Sequence, residues 1–285
     1  MRARDVLGFV VLVLGLGCDP PADRDSPSDA AGGNGSAGST SQPADASGSA
    51  GRSGEAESGS APDDAPGEEG MPPLPPGPYE NSLGMRFVPV AGTSVLFSVW
   101  ETRVRDYEAY ATATQTAVPH PDFPEEPLQP KAAISRAQAL AFAAWLTSVE
   151  QKEGKIRPVQ SYRLPTDAEW DVAFEVGQTG GPYPWGDGFP PPDHFANYEI
   201  TNDGFVYTAP VGSFASNRLG LYDLAGNLWE WIGEGCASGG AYLVRGAGWN
   251  AHTAAYFELG FHYCFSDDLV GHHNVGFRVV IDGAF

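Results

Sequence analysis

Apolar positions fall into three regimes along the 285 residues. Val6 to Leu16 is nearly all apolar, 19–70 has almost no large apolar side chain, and from 79 onward apolar runs resume with regular spacing. In this last regime Met85 to Val90 predicts a short strand, and Pro89 suggests a sheet edge because proline brings no N–H to a ladder. Val95 to Trp100 predicts a second strand. Glu101-Thr102-Arg103-Val104 opens a helix to about Thr114, with Val104, Tyr107 and Tyr110 on one side. After a Pro-rich loop at 119–130, Ser135 is placed to N-cap a helix to about Gly154. Its Ala139, Phe142, Ala143, Leu146 and Val149 recur at helical spacing. Thr166 caps a further short helix through Phe174, with Thr166 and Glu169 forming a capping box. Beyond Gly177 the helical period fades into loops and short strands dense in Gly, Pro and aromatics. The fold class is therefore α+β, with one sizeable core over 79–285 and no internal repeat.

The first two regimes describe a chain built to leave the cytoplasm. Residues 1–17 read as an export signal: Arg2 and Arg4 precede an apolar run too short to persist as a spanning helix. Leu14-Gly15-Leu16-Gly17-Cys18 resembles a bacterial lipoprotein cleavage box, with Gly15 where Leu is usual and Cys18 as the acylated residue. Residues 18–78 form a Ser/Gly/Ala/Pro linker that cannot bury enough surface to offset its backbone entropy and is expected to be disordered. Over 19–78 it holds eleven acidic and two basic residues, so it carries −9 of the formal −20. MPPLPPGP at 71–78 stiffens its end towards polyproline geometry. Such an acidic balance argues against nucleic acid as a partner. Only Cys236 and Cys264 lie in the folded region, and in an exported protein the expectation is a disulfide between them.

The densest chemistry is GLYDLAGNLWEW at 220–231, followed by RGAGWN at 245–250 and GFR at 276–278. Asp223, Asn227 and Glu230 offer oxygens within a Gly-containing turn. Trp229 and Trp231 flank Glu230, so in an extended run the indoles share one face and the carboxylate takes the other. Oxygen donors on a tight turn suit a hard cation such as calcium.

Together with YRLPTDAEW, YPWGD, AN, DGF, TAPVGSF and VGFRV, in that order along the chain, these motifs resemble the formylglycine-generating enzyme family, the sulfatase-modifying-factor domains. The likeness covers nearly all of 79–285 and implies a loop-rich, calcium-stabilised α+β fold related to C-type lectins. It implies two Ca2+ sites. One would use side chains of Asn197 and Asp203 with carbonyls of Tyr198 and Phe205; the other, Asp223 and Glu230 with carbonyls of Gly226 and Leu228. Trp170, Trp185, Trp229, Trp231 and Trp249 are expected to be core residues rather than ligand stackers.

Active members of that family bind copper(I) through two thiolates, which activates dioxygen to oxidise a substrate cysteine. In this chain His252 keeps the register of the motif, but Ala251 and Tyr256 stand at the two thiolate positions and Gly248 replaces the usual Ser. Copper is therefore not expected as a cofactor, since Ala has no donor and phenol oxygen is a poor copper(I) ligand. His252, His262, His272 and His273 offer an alternative imidazole metal site, without the carboxylate pattern that usually orients such ligands.

The expectation is a membrane-anchored periplasmic or cell-surface lipoprotein whose domain is a non-catalytic binding or scaffolding module. A groove near Arg245, Trp249, His252 and Tyr256 would receive a peptide or protein of the cell envelope. The alternative is a formylglycine-generating oxidase or another metal-dependent oxidoreductase acting on a protein cysteine. Carbohydrate binding, by analogy with lectins, ranks last.

Overall fold

In chain order the elements are β1 (Tyr79–Glu80), β2 (Arg86–Pro89), β3 (Leu96–Ser98), α1 (Val104–Thr114), α2 (Arg136–Lys152), β4 (Ser161–Arg163), α3 (Asp167–Val176), β5 (Trp229–Gly235), β6 (Tyr242–Arg245), β7 (Tyr263–Phe265), β8 (Val275–Gly276) and β9 (Val280–Asp282). The computed structural model describes residues 78–283, apart from 177–179, 193, 200–202, 238 and 266–271. The expected export signal, Cys18 and the linker up to 77 lie outside the described residues.

Two sheets organise the domain. One has the order β1-β2-β3-β9-β4; the other has the order β7-β6-β5-β8. The first sheet closes the chain on itself, because β9 pairs with β3 (Leu96 opposite Ile281) and with β4 (Tyr162 opposite Ile281). Strand β2 is not an edge strand, contrary to what Pro89 suggests. However, β1 faces only Arg86 and Phe87, so Pro89 lies past the end of that partner and its missing N–H breaks no ladder.

Helix α1 begins at Val104, three residues later than the polar run indicates, since Glu101 and Thr102 are drawn into the interior in non-helical backbone. Its Val104, Tyr107 and Tyr110 are buried as the spacing predicts. Helix α2 has the expected cap: Ser135 accepts from the Gln138 N–H while Gln138 Oε1 accepts from the Ser135 N–H. Gly154, just beyond the end of α2, adopts φ 68°, which only glycine does without strain. The main core joins Phe87, Tyr107, Phe142, Leu146, Tyr162, Trp231 and Phe277 across helices and both sheets. Tyr107 and Phe142 stack at 6.1 Å, and Phe277 meets Phe142 edge-on at 5.4 Å.

Between α3 and β5 the described residues form no named helix or strand and are tied mainly by side-chain and turn hydrogen bonds. Those loops and β5 carry the candidate site.

Candidate functional site

The centre of the site is a buried electrostatic knot. Strand β5 places Trp229 and Trp231 on one side, against Tyr256 and Phe265 respectively, and Glu230 on the other. There Glu230 receives Arg278 through two hydrogen bonds, Nε to Oε2 at 2.7 Å and Nη2 to Oε1 at 2.6 Å. Arg278 also donates to the carbonyls of Tyr222 and Asp223 and lies over the Trp170 ring at 5.3 Å. Asp223 accepts from the Gly212 N–H, and Glu101 accepts from the Leu228 N–H and from Asn227 Nδ2. The acid side chains of Glu101 and Glu230 and the Arg278 guanidinium are fully inaccessible to solvent, and Asp223 is nearly so.

Burial, reinforced by repulsion from Asp223 and Glu230, pushes the Glu101 carboxyl well above its ordinary range. Burial raises Asp223 to about 6 and raises Glu230 against the pull of Arg278. Three acid side chains share one guanidinium, and burial favours the neutral form of those that Arg278 does not hold. The donors of this turn are all oxygen, the type calcium takes, while both Glu230 oxygens already accept from Arg278. Asp223 and Glu230 would be the side-chain ligands of calcium, with the Gly226 and Leu228 carbonyls beside them. Gly226 is required there for space: at φ 93°, a Cβ would sit 2.4 Å from the Asn197 carbonyl oxygen.

The other predicted calcium turn is stitched to this one. Asn197, almost fully buried, donates from Nδ2 to the Tyr207 carbonyl at 2.7 Å and to Asn227 Oδ1 at 3.2 Å. Asp203 Oδ1 accepts from the Phe205 N–H at 2.9 Å, which turns the backbone around the carboxylate. Tyr198 is buried in the aromatic cluster with Phe189 and Phe257. The donor types at this turn are again all oxygen.

Sequence reasoning did not single out Glu101 as a site residue, and it treated Arg278 only as part of a motif. The available signal was a charge set directly beside an apolar run in each case, SVWE at 98–101 and GFRVV at 276–280, which marks a paired buried charge. Lys131 is a third example: wholly buried, it donates to both oxygens of Glu125 at 2.8 and 2.7 Å and holds the Pro-rich loop down.

The window of the expected catalytic centre is filled differently. Ala251 is buried, and its N–H donates to the Gly248 carbonyl while its own carbonyl accepts from Glu199. Tyr256 lies in a short 3-10 helix, Ala254–Phe257, and packs its ring on Trp229 at 5.7 Å and Phe261 at 5.2 Å. Gly248 fits a position where a Cβ would come within 3.1 Å of Trp229 and 3.2 Å of the Asn274 carbonyl. Cys236 and Cys264 are joined as a disulfide between the end of β5 and β7. No thiolate is therefore left among the described residues to hold copper.

The groove expected along this window is altered in two respects. Arg245 is not part of an open surface: it is 1% exposed, and its guanidinium is paired with Asp167 at 3.0 Å and with Asp171. Trp249 is not core; it is half-buried at the surface between Phe123 and Tyr207. His252 and Tyr256 do adjoin, with ring centres 6.5 Å apart. Trp170, Trp185, Trp229 and Trp231 are buried, as expected. The four histidines do not gather: His252 pairs with Glu199, His273 with Asp122, His272 lies against Phe265, and His262 is exposed. Among the described residues no three His, Cys, Asp or Glu side chains converge as a metal site.

Comparison with known proteins agrees with this architecture. Residues 79–283 match the family described as the sulfatase-modifying factor enzyme 1-like domain. The formylglycine-generating enzyme of Thermomonospora curvata is 35% identical over 119 residues, which is 39% of this chain and 35% of that protein. The mouse protein named inactive C-alpha-formylglycine-generating enzyme 2 is 40% identical over 96 residues, 30% of this chain and 31% of that one. The chain thus spans about a third of the length of these curated relatives. Among solved structures, PvdO from Pseudomonas aeruginosa superposes with a TM-score of 0.55 at 22% identity, over 71% of this chain and 82% of its own. CarF gives 0.52 at 22% identity, over 65% and 85%. These two show the fold alone. With the family match running across the whole folded region, this chain belongs to the sulfatase-modifying factor enzyme 1-like domain family.

Proposed function

We propose that the protein is an exported, membrane-anchored lipoprotein whose calcium-stabilised domain binds a peptide or protein of the cell envelope without performing the oxidative chemistry of active relatives. The observation that carries this reading is the pair Ala251 and Tyr256 at the thiolate positions, one a buried methyl and the other a ring packed on Trp229. Copper(I) needs soft ligands, and neither side chain is one. The family itself includes proteins named as generating enzymes and proteins named as inactive. The framework motifs remain while the window they surround is remodelled, which supports a retained binding surface over retained catalysis. Cys18 would carry the lipid, and the acidic linker would hold the domain away from the membrane.

The test is direct. The full-length protein is incubated with copper(I), dioxygen and a Cys-x-Pro-x-Arg peptide, and the peptide mass is followed. No aldehyde is expected at the cysteine, and copper titration should show no tight thiolate-type binding. Conversion of the cysteine to formylglycine would overturn the reading and favour the oxidase alternative.

A further inference from the structure

Building on the binding-module reading, we propose that an exposed apolar ridge made by Leu128, Phe205, Val206 and Tyr207 is the docking surface, and that it takes a cationic polypeptide segment bearing an aliphatic or aromatic anchor. Seven large hydrophobic side chains are exposed among the described residues, and four of them stand here: Leu128 at 49%, Phe205 at 38%, Val206 at 80% and Tyr207 at 39%. Of the other three, Leu140 is on α2, Val159 in the connection between α2 and β4, and Val176 at the end of α3. Single exposed apolar residues are ordinary, whereas a cluster marks a site of contact.

The ridge is braced from below. Tyr207 stacks on Phe123 at 4.4 Å and meets Trp249 edge-on at 5.1 Å, and Phe205 packs on Phe214 at 6.2 Å. Two cross-loop hydrogen bonds fix its two segments together: Gln129 Nε2 to the Thr208 carbonyl at 2.7 Å, and the Val211 N–H to the Leu128 carbonyl at 2.9 Å. Such a platform loses little conformational freedom when a partner lands on it.

Charge selects the occupant. Asp122, paired with His273, and Glu126 are exposed beside Phe123 and Leu128, Glu108 is exposed on α1, and Asp203 lies two residues before Phe205; the exposed basic side chains nearby are Arg105, His120 and His273, so the acidic groups outnumber the permanent cation. This acidic rim disfavours nucleic acid and anionic lipid alike. A second copy laid ridge to ridge would bring the same carboxylates against each other. Lysine or arginine side chains around an apolar anchor complement both features.

The experiment measures fluorescence anisotropy of a labelled peptide of alternating lysine and leucine, and of its glutamate counterpart, on the full-length protein. The first should bind and the second should not. The double variant Leu128→Ser, Val206→Ser removes only exposed side chains, so its melting temperature should stay at the wild-type value while affinity for the lysine peptide falls about tenfold. The charge variant Asp122→Asn, Glu126→Gln should weaken binding about threefold and flatten its salt dependence. Several results would overturn the proposal: no binding of the lysine peptide, equal binding by wild type and the serine variant, or self-association abolished by the serine variant. Aldehyde formation in the copper assay overturns the non-catalytic reading separately and leaves these affinities readable.

Discussion

Asn197 and Asn227 are joined twice: the Asn227 N–H donates to the Asn197 carbonyl at 2.9 Å, and Asn197 Nδ2 donates to Asn227 Oδ1 at 3.2 Å. The seam continues on both sides, from Asn227 Nδ2 to Glu101 at 2.9 Å and from Asn197 to the Tyr207 carbonyl at 2.7 Å. Two loops that the sequence presents as separate cation turns are thus one polar network. Buried networks of this kind are stiff when every member is satisfied and costly when one is removed.

Asn227 is therefore the residue whose loss should be felt at both turns. It is almost fully buried and adopts φ 66°, which asparagine tolerates better than alanine. Asn227→Ala orphans groups on Glu101, Asn197 and Ala209 and should cost on the order of 3 kcal/mol in urea unfolding. A loss below about 0.5 kcal/mol would show that the seam contributes little.

Arg278→Met leaves Glu101, Asp223 and Glu230 buried without their cation. Breaking a buried pair in this way costs roughly 3–5 kcal/mol, so the variant should be recovered poorly and unfold well below wild type. Arg278→Lys should restore only part, because one ammonium cannot reproduce the two-pronged contact with Glu230.

Calcium should stabilise the folded protein. At a hundredfold excess over its dissociation constant the gain is about 2.7 kcal/mol, seen as a rise in the thermal midpoint that chelator reverses. Magnesium should substitute poorly, given its demand for a smaller octahedral site. An identical midpoint in calcium and in chelator would set this assignment aside.

Arg163 ties α3 to the last strand through Glu169 at 2.6 Å and Asp282 at 2.8 Å. Its hydrogen bond holds Asp282 below the ordinary carboxylate value; burial alone would raise Glu169, but Arg163 holds it below as well. A depressed folded-state pKa contributes stability above the unfolded-state value, and that stability is lost as pH falls through the folded value. Wild type should exceed Arg163→Gln by about 1 kcal/mol at neutral pH, discounted because Asp282 is partly exposed. The two curves should converge as acidity passes below about pH 4. Parallel curves down to acid unfolding would mean that Arg163 acts through packing alone.

Cys236 and Cys264 close a loop across 28 residues. Loop-closure entropy for that length predicts a loss of about 3.5 kcal/mol on reduction or in Cys236→Ser, Cys264→Ser, measurable by denaturant unfolding with and without reductant.

What the chain determined by itself is the local and the compositional. The cap at Ser135, the apolar spacing of α1 and α2, the capping box before α3 and the opposed faces of Trp229 and Glu230 all follow from short-range chemistry, and the structure has each of them. The order of motifs likewise sufficed for the family, and the substitution of Ala251 and Tyr256 could be read at once. Tertiary structure decided the rest, because it depends on neighbours distant in the chain. Arg245 looked available until Asp167 and Asp171 were found beside it, and Glu101 looked like a helix start until Asn227 and Leu228 drew it inside. The ridge at 205–207 reads in sequence as an ordinary apolar run. Only the loop bearing Leu128, fastened to it through Gln129, makes it a surface. Burial and charge balance are sums over groups brought together by the fold, and no local pattern contains that sum.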